Sequence, residues 1–273
     1  MIVMEQLPKI SIITPSYNQG KFIERTIRSI LDQDYPNLEY IVVDGGSRDE
    51  TIDILKKYGT RLTWISEKDR GQTDAINKGL RMSSGDILAY LNSDDVYEPH
   101  ALRRVGAYFS THPEAMWLTG KCRIIDEQDR EFRGLITKYK NALLKRYSYG
   151  LLLVTNPISQ PATFWRRAVV GELGLFDDRE HLVMDYEYWL RIGKKHRPAV
   201  LSDYLAGFRV YAASKTSSSF LTTFRREMEL ARRYSGSSTL NALHYLSYLG
   251  ISSMYLLMNS FGGSRNRGKA GVF

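Results

Sequence analysis

Through its first hundred residues the chain alternates short apolar runs with segments of helical periodicity. Residues 10–14 (ISIIT) are apolar and β-branched-rich, and Pro15 closes the run, which predicts a strand buried on both faces. Phe22, Ile23, Thr26, Ile27, Ile30 and Leu31 then recur at helical spacing. A second strand is predicted over 40–43, ending in Asp44-Gly45-Gly46-Ser47, and Ser47 with Glu50 three residues on reads as a capping box that opens a helix through Leu55. Residues 62–65 predict a third strand. Residues 71–82 predict a helix with Ala75, Ile76, Gly79 and Leu80 inward, residues 87–91 a fourth strand, and Pro99 the start of another helix. Apolar strands separated by helices predict a parallel sheet covered on both faces, the Rossmann-like form of an α/β protein.

In such sheets ligands collect beyond the carboxyl ends of the strands. Three polar loops fall there: Thr14 through Asn18, Asp44 with its two glycines, and Asn92-Ser93-Asp94-Asp95. Their convergence on one edge is the first functional inference.

The second half is less regular. Residues 160–166 (QPATFWR) predict a strand bringing Gln160 and Thr163 to a surface, 184–195 a helix beginning near Asp185, and 206–211 another strand. Residues 214–219 read as polar and flexible, and 220–234 as a basic amphipathic helix. From 239 to 260 there is no formal charge, which raises the question of a membrane span. Asn241, His244, Asn259 and several Ser and Gly residues dilute the segment, so a helix packed on the domain, or lying in a membrane interface, is expected instead. The predicted organisation is one domain over 1–219, with halves of about 1–98 and 99–219, and a helical extension over 220–273 with a basic tail.

Composition narrows the class. Of 273 residues 43% are hydrophobic, enough for a sizeable core and too many for a disordered chain. One cysteine, Cys122, excludes an internal disulfide and suits a reducing, cytoplasmic compartment. The start shows no basic-then-apolar leader, Pro8 ending a short mixed stretch. A net charge of +8 would suit nucleic acid, an anionic membrane or phosphorylated ligands. No nucleic-acid motif accompanies it, so no nucleic-acid partner is expected.

The carboxylates carry the candidate chemistry. Asp94 and Asp95 repel each other unless a cation or a helix start relieves them, and paired oxygens of this kind suit Mg²⁺ shared with substrate phosphates. Asp44, before two glycines that let a ligand approach, could accept hydrogen bonds from a planar imide or a ribose hydroxyl. In the charged run 67–72 Arg70 could pair with phosphate at a helix start, which favours anions. Asp185 opens a helix rich in aromatics, where it could be an electrostatic cap of the helix start or a carboxylate whose basicity partial desolvation tunes toward a general base.

Six blocks in order, "ISIITPSYNQ", "IVVDGGSRDET", "ISEKDRGQTDAINKGL", "ILAYLNSDD", "QPATFWRR" and "MDYEYWLRI", resemble the family 2 glycosyltransferases over about four-fifths of the chain. The resemblance implies the GT-A fold, a nucleotide-sugar donor and inversion at the transferred sugar. It implies that Asp44 holds the base, usually uracil, with help from Pro15, Ser16, Tyr17 and Asn18, and that Asp69, Arg70 and Gly71 lie near the nucleotide. Asn92-Ser93-Asp94 occupies the place of the family's Asp-x-Asp motif, so Asp94, with Asp95, would hold Mg²⁺ or Mn²⁺. Asp185 falls where the catalytic base sits. This sequence departs from the pattern with Asn92 for a frequent Asp, Met184 for a frequent Glu and Tyr211 where relatives often carry His. Gln160, Thr163 and Trp165 are expected to meet the acceptor, a glycan or lipid-linked hydroxyl. The basic tail (Arg265, Arg267, Lys269) behind an uncharged helix suits the inner leaflet of a membrane. A homo-oligomer is left open, and a catalytically inactive nucleotide-binding module is the competing class.

Overall fold

Gly79 on the third helix stands so close to the first strand that a Cβ there would lie 2.4 Å from Ile13 Cγ2, which is how tightly helices pack on this sheet. The computed structural model describes residues 7–211 and 215–262, with side chains described for 7–211 and 222–253. The first half alternates β1 (Ile10–Ser16), α1 (Gly20–Leu31), β2 (Leu38–Asp44), α2 (Thr51–Lys57), β3 (Thr63–Ser66), α3 (Gln72–Met82) and β4 (Ile87–Tyr90). Then come β5 (Val96–Tyr97), α4 (Ala101–Thr111), β6 (Trp117–Ile125), α5 (Gly134–Lys145), α6 (Tyr149–Val154), β7 (Thr163–Arg166) and α7 (Arg167–Leu173). The chain continues through α8 (Met184–Lys195), β8 (Ala199–Arg209), α9 (Lys215–Ser235) and α10 (Ser238–Gly262).

The strands form one sheet in the order β3-β2-β1-β4-β7-β6-β8-β5. β3, β2, β1 and β4 are mutually parallel, β7 runs antiparallel between β4 and β6, and β8 is parallel to β6. Alternation along β1 sends Ile10 and Ile12 to one face, against Ile23, Ile27 and Val105, and Ile13 to the other, against Ile76 and Leu80. The second face carries the densest aromatic packing, with Trp189 5.7 Å, centroid to centroid, from both Trp117 and Trp165.

Several expectations are corrected. β1 runs through Pro15, which pairs with Val43, because β4 ends at Tyr90 and the missing Pro N–H falls where β1 has no neighbour on that side. Ser47 does not cap α2. Asp49 does the local work, its Oδ1 accepting Thr51 N at 3.1 Å and its Oδ2 accepting Gly20 N at 2.9 Å, so one carboxylate ties the starts of α1 and α2. Gln160 lies in a short 3₁₀ turn rather than a strand. β8 begins at Ala199, and residues 215–219 already belong to α9, while residue 214 and the basic tail lie outside the described residues.

The basic face of α9 docks onto the domain: Arg226 Nε reaches Glu180 Oε2 at 2.9 Å, and Arg233 Nη1 reaches Oε1 at 3.1 Å. α10 packs back on α6, with His244 Nδ1 2.7 Å from the Leu153 carbonyl. Among the described residues no helix is long and apolar enough to cross a membrane.

Candidate active site

A cavity of about 710 Å³ opens at the carboxyl ends of the parallel strands. It brings together Pro15, Ser16, Tyr17, Asp69, Gly71, Asn92, Ser93, Asp94, Gln160 and Asp185, residues far apart in the chain. Asn18, Asp44, Arg70, Asp95, Thr163 and Trp165 are not among its walls.

Asp44 ends β2 fully buried, held by its own loop and by Ser66 at the end of β3. Oδ2 accepts Gly46 N at 3.0 Å, Ser47 N at 2.8 Å and Ser66 Oγ at 2.7 Å, while Oδ1 accepts Ser47 Oγ at 2.5 Å. Oδ1 carries only the Ser47 Oγ bond, so of the roughly four acceptor positions of a carboxylate one remains open on that oxygen. Asn18, in the left-handed region at φ 50°, reinforces the same loop: its N–H donates to Ser47 Oγ and its Oδ1 accepts Arg48 N. The carboxylate that reaches the cavity is Asp69. A Cβ at Gly45 would stand 2.6 Å from Asp69 Oδ2, so Gly45 makes the space that Asp69 fills. Asp69 Oδ1 also accepts Gly71 N at 2.8 Å, fixing the turn before α3. Arg70 points away, pairing at 3.1 Å with both Asp74 and Asp178.

The two adjacent carboxylates after β4 have divided their work. Asp95 turns inward, where Oδ1 accepts Arg209 N at 2.8 Å and Oδ2 accepts Asn92 Nδ2 at 3.3 Å. Burial, then the charge of Asp94, pushes its carboxyl well above the ordinary value. Asp94 lines the cavity, its carboxyl raised by burial, and Oδ2 accepts the Tyr211 hydroxyl at 3.1 Å. The positive group that permits the pair is Arg209, 1% exposed at the end of β8. Its Nε donates to the Asp94 carbonyl and its Nη1 to the Asp126 carbonyl, both at 2.6 Å, and it pairs with Asp129.

Asn92 is a hub. Its Oδ1 accepts Gln72 Nε2 at 2.6 Å while its Nδ2 donates toward Asp95 and toward Gln160 Oε1 at 3.4 Å. An aspartate could not donate to either oxygen, which is the physical reason for an amide here. Met184 likewise has a packing role: buried at 4% exposure, its Sδ accepts Thr73 Oγ1 at 2.8 Å and holds the start of α8 against α3. Asp185 follows in the first turn, with Oδ1 accepting Tyr186 N at 2.9 Å.

Of the expected acceptor residues, Gln160 reaches the cavity, its Nε2 donating to the Tyr90 carbonyl at 2.6 Å. Thr163 is buried on Thr119 Oγ1 and the Ser159 carbonyl, and Trp165 lies wholly inside the aromatic core. Both sit on β7, a central strand covered on both faces, which the run QPATFWR could not reveal. Sequence reasoning missed Asn156, Glu227 and His244, which also line the cavity. Glu227 left one signal: it breaks the apolar stripe of α9, at helical spacing between Phe224 and Ala231.

Among the described residues no group of three or more His, Cys, Asp and Glu side chains is arranged to hold a metal ion. Asp94 therefore fits only a cation that draws most of its ligands from substrate phosphate and water, which is the habit of Mg²⁺.

The family model for glycosyl transferase family 2 matches residues 11–173. A PGL/p-HBAD biosynthesis glycosyltransferase of Mycobacterium bovis is 30% identical over 203 residues, covering 72% of this chain and 74% of its own. Among solved structures, residues 1–349 of S. aureus TarS in complex with UDP align with TM-score 0.61 at 19% identity, over 88% of this chain and 70% of that one. In another structure of S. aureus TarS the alignment covers 43% of that chain. The mannosyltransferase PcManGT of Pyrobaculum calidifontis, in complex with GDP-Man and Mn²⁺, aligns with TM-score 0.68 at 20% identity, over 98% of this chain and 77% of that one.

Proposed function

The chain belongs to glycosyl transferase family 2 and is a glycosyltransferase of GT-A fold, and from that premise we propose that it transfers a sugar from a nucleoside diphosphate, UDP foremost, to a hydroxyl of a glycan or lipid-linked acceptor with inversion. One observation carries the reading: Asp94 and Asp69, from two separate loops, and Asp185, from the first turn of α8, face a single cavity at the carboxyl edge of the sheet.

Asp69, with Tyr17 and the unpartnered, buried Ser16 Oγ, meets the nucleoside. The diphosphate lies toward the N-terminus of α3, where Gly71 and Gln72 line the cavity and the helix end favours anions. Asp185 takes the proton of the acceptor hydroxyl as its oxygen attacks the anomeric carbon. The bond from that carbon to the phosphate oxygen breaks with its electron pair leaving on the diphosphate, so a single displacement inverts the configuration. Mg²⁺ or Mn²⁺ bound with Asp94 would neutralise charge on the leaving diphosphate. Holding donor and acceptor in line supplies much of the acceleration. Asp185→Asn should abolish transfer while UDP binding by calorimetry persists; near-normal turnover in that variant would remove Asp185 from the role.

The reading extends to the place of work. α10 turns Leu243, Leu246 and Leu249 outward, at 45%, 62% and 42% exposure, ahead of a tail carrying Arg265, Arg267 and Lys269. An apolar row followed by cations suits the anionic inner leaflet of a membrane, with the catalytic domain on the cytoplasmic side.

A further inference from the structure

The cavity does not end at Asp185. It continues into a chamber built by α5, α6 and the segment after it, α9 and α10, the last two lying beyond the family match. Its walls set apolar side chains, Ile136, Leu143, Val154, Ile158, Phe224 and Ile251, beside polar ones that include Lys140, Thr155 and His244. Into them α9 inserts one carboxylate, Glu227, whose Oε1 accepts Asn156 Nδ2 at 3.4 Å. Asn156 is itself fixed, its Oδ1 accepting Ile158 N at 3.2 Å.

Glu227 does little for the fold. No side-chain hydrogen bond or ion pair described for it strengthens the single long contact with Asn156. A half-buried carboxylate so weakly compensated is unfavourable, and a leucine or methionine would suit the stripe better. The group sits in the same cavity as Asp185 and within its electrostatic reach. A destabilising carboxylate beside a catalytic centre, set among the apolar side chains of a cavity wall, marks a ligand contact.

We propose that Glu227 and Asn156 position the acceptor, Glu227 accepting a hydrogen bond from a hydroxyl adjacent to the one that Asp185 deprotonates, while the apolar side chains of the chamber take a hydrocarbon group joined to the acceptor sugar. The acceptor is thus an amphipathic glycoside, a sugar on an alkyl, aryl or polyprenyl carrier. The inference rests on the reading of the cavity as a glycosyl-transfer site, and it moves the acceptor from the β7 strand to the helices of the extension.

The test uses the full chain saturated with UDP and Mn²⁺. Octyl and methyl β-glycosides of glucose, mannose and N-acetylglucosamine are titrated by calorimetry below the critical micelle concentration. At least one octyl glycoside should bind about tenfold or more tightly than its methyl counterpart. Glu227→Gln and Asn156→Ala should each weaken it by about tenfold, the loss of one charge-assisted hydrogen bond, with UDP affinity unchanged. Equal binding of octyl and methyl glycosides overturns the proposal. So does undiminished octyl glycoside binding in Glu227→Gln, or the failure of every glycoside to bind a wild-type protein that binds UDP. A wild-type protein that fails to bind UDP overturns the proposal together with the reading beneath it.

Discussion

Replacing Glu227 by glutamine should make the protein more stable, by an amount that depends on pH. Burial in the chamber, followed by the charge of Asp185 on α8, pushes the Glu227 carboxyl from 4.5 up to about 7, against smaller opposing effects of the Asn156 amide and of Lys140 on α5. Between those values the folded chain holds a proton that the unfolded chain has released, so stability falls as pH rises through the window. At about 1.4 kcal/mol per pKa unit, the ionised group costs the fold about 3 kcal/mol at pH 8 and under about 1 kcal/mol at pH 5. Glutamine keeps the shape and removes the charge. For a domain of this size about 3 kcal/mol corresponds to a rise of about 6 °C or more in the unfolding midpoint. Differential scanning fluorimetry of Glu227→Gln and wild type at pH 5 and pH 8 reads the effect directly. A gain confined to pH 8 is expected. An equal shift at both pH values, or a loss of stability at pH 8, would refute the argument that a half-buried, weakly compensated carboxylate stands there. Together with weakened glycoside binding, the gain would show a group kept for function at the expense of stability.

Gly45→Ala should weaken UDP binding by about tenfold, because the new Cβ drives the Asp69 carboxylate from its seat. The midpoint should move little, since a side-chain end rather than backbone must yield, and unchanged UDP affinity by calorimetry would remove Asp69 from the nucleotide site. Trp165→Ala should lower stability by about 3–5 kcal/mol in chemical denaturation, as expected for an emptied aromatic core position, and a stable variant with an altered acceptor KM would restore Trp165 to the acceptor surface. Leu246→Glu with Leu249→Glu should lower recovery with phosphatidylglycerol vesicles in flotation, and wild-type protein that stays wholly unbound would defeat the membrane reading.

Local patterns were enough for the first half of the chain. The buried runs at β1, β2 and β4 and the inward residues Ala75, Ile76, Gly79 and Leu80 of α3 follow from hydrophobic periodicity, because a parallel sheet needs apolar strands and helices need apolar stripes. That order of elements also fixes which loops share an edge, so the meeting of the loops after β1, β2 and β4 was legible before any coordinates. The direction of individual carboxylates was not. Asp44 and Asp69 look alike in the chain, yet one is buried between its own loop and the end of β3 while the other stands over Gly45 in the cavity. Asp94 and Asp95 are adjacent, and only the path of β8, which delivers Arg209, decides which of them turns inward. Thr163 and Trp165 read as a half-exposed strand because nothing local shows that β7 is inserted between β4 and β6. Glu227 enters the site from 42 residues beyond Asp185 through the packing of α9, a contact between distant segments that no spacing along the chain encodes. Sequence alone settles which residues seek burial and in what order elements form; which polar groups are then left facing a common space depends on long-range packing, and only the assembled tertiary structure determines that.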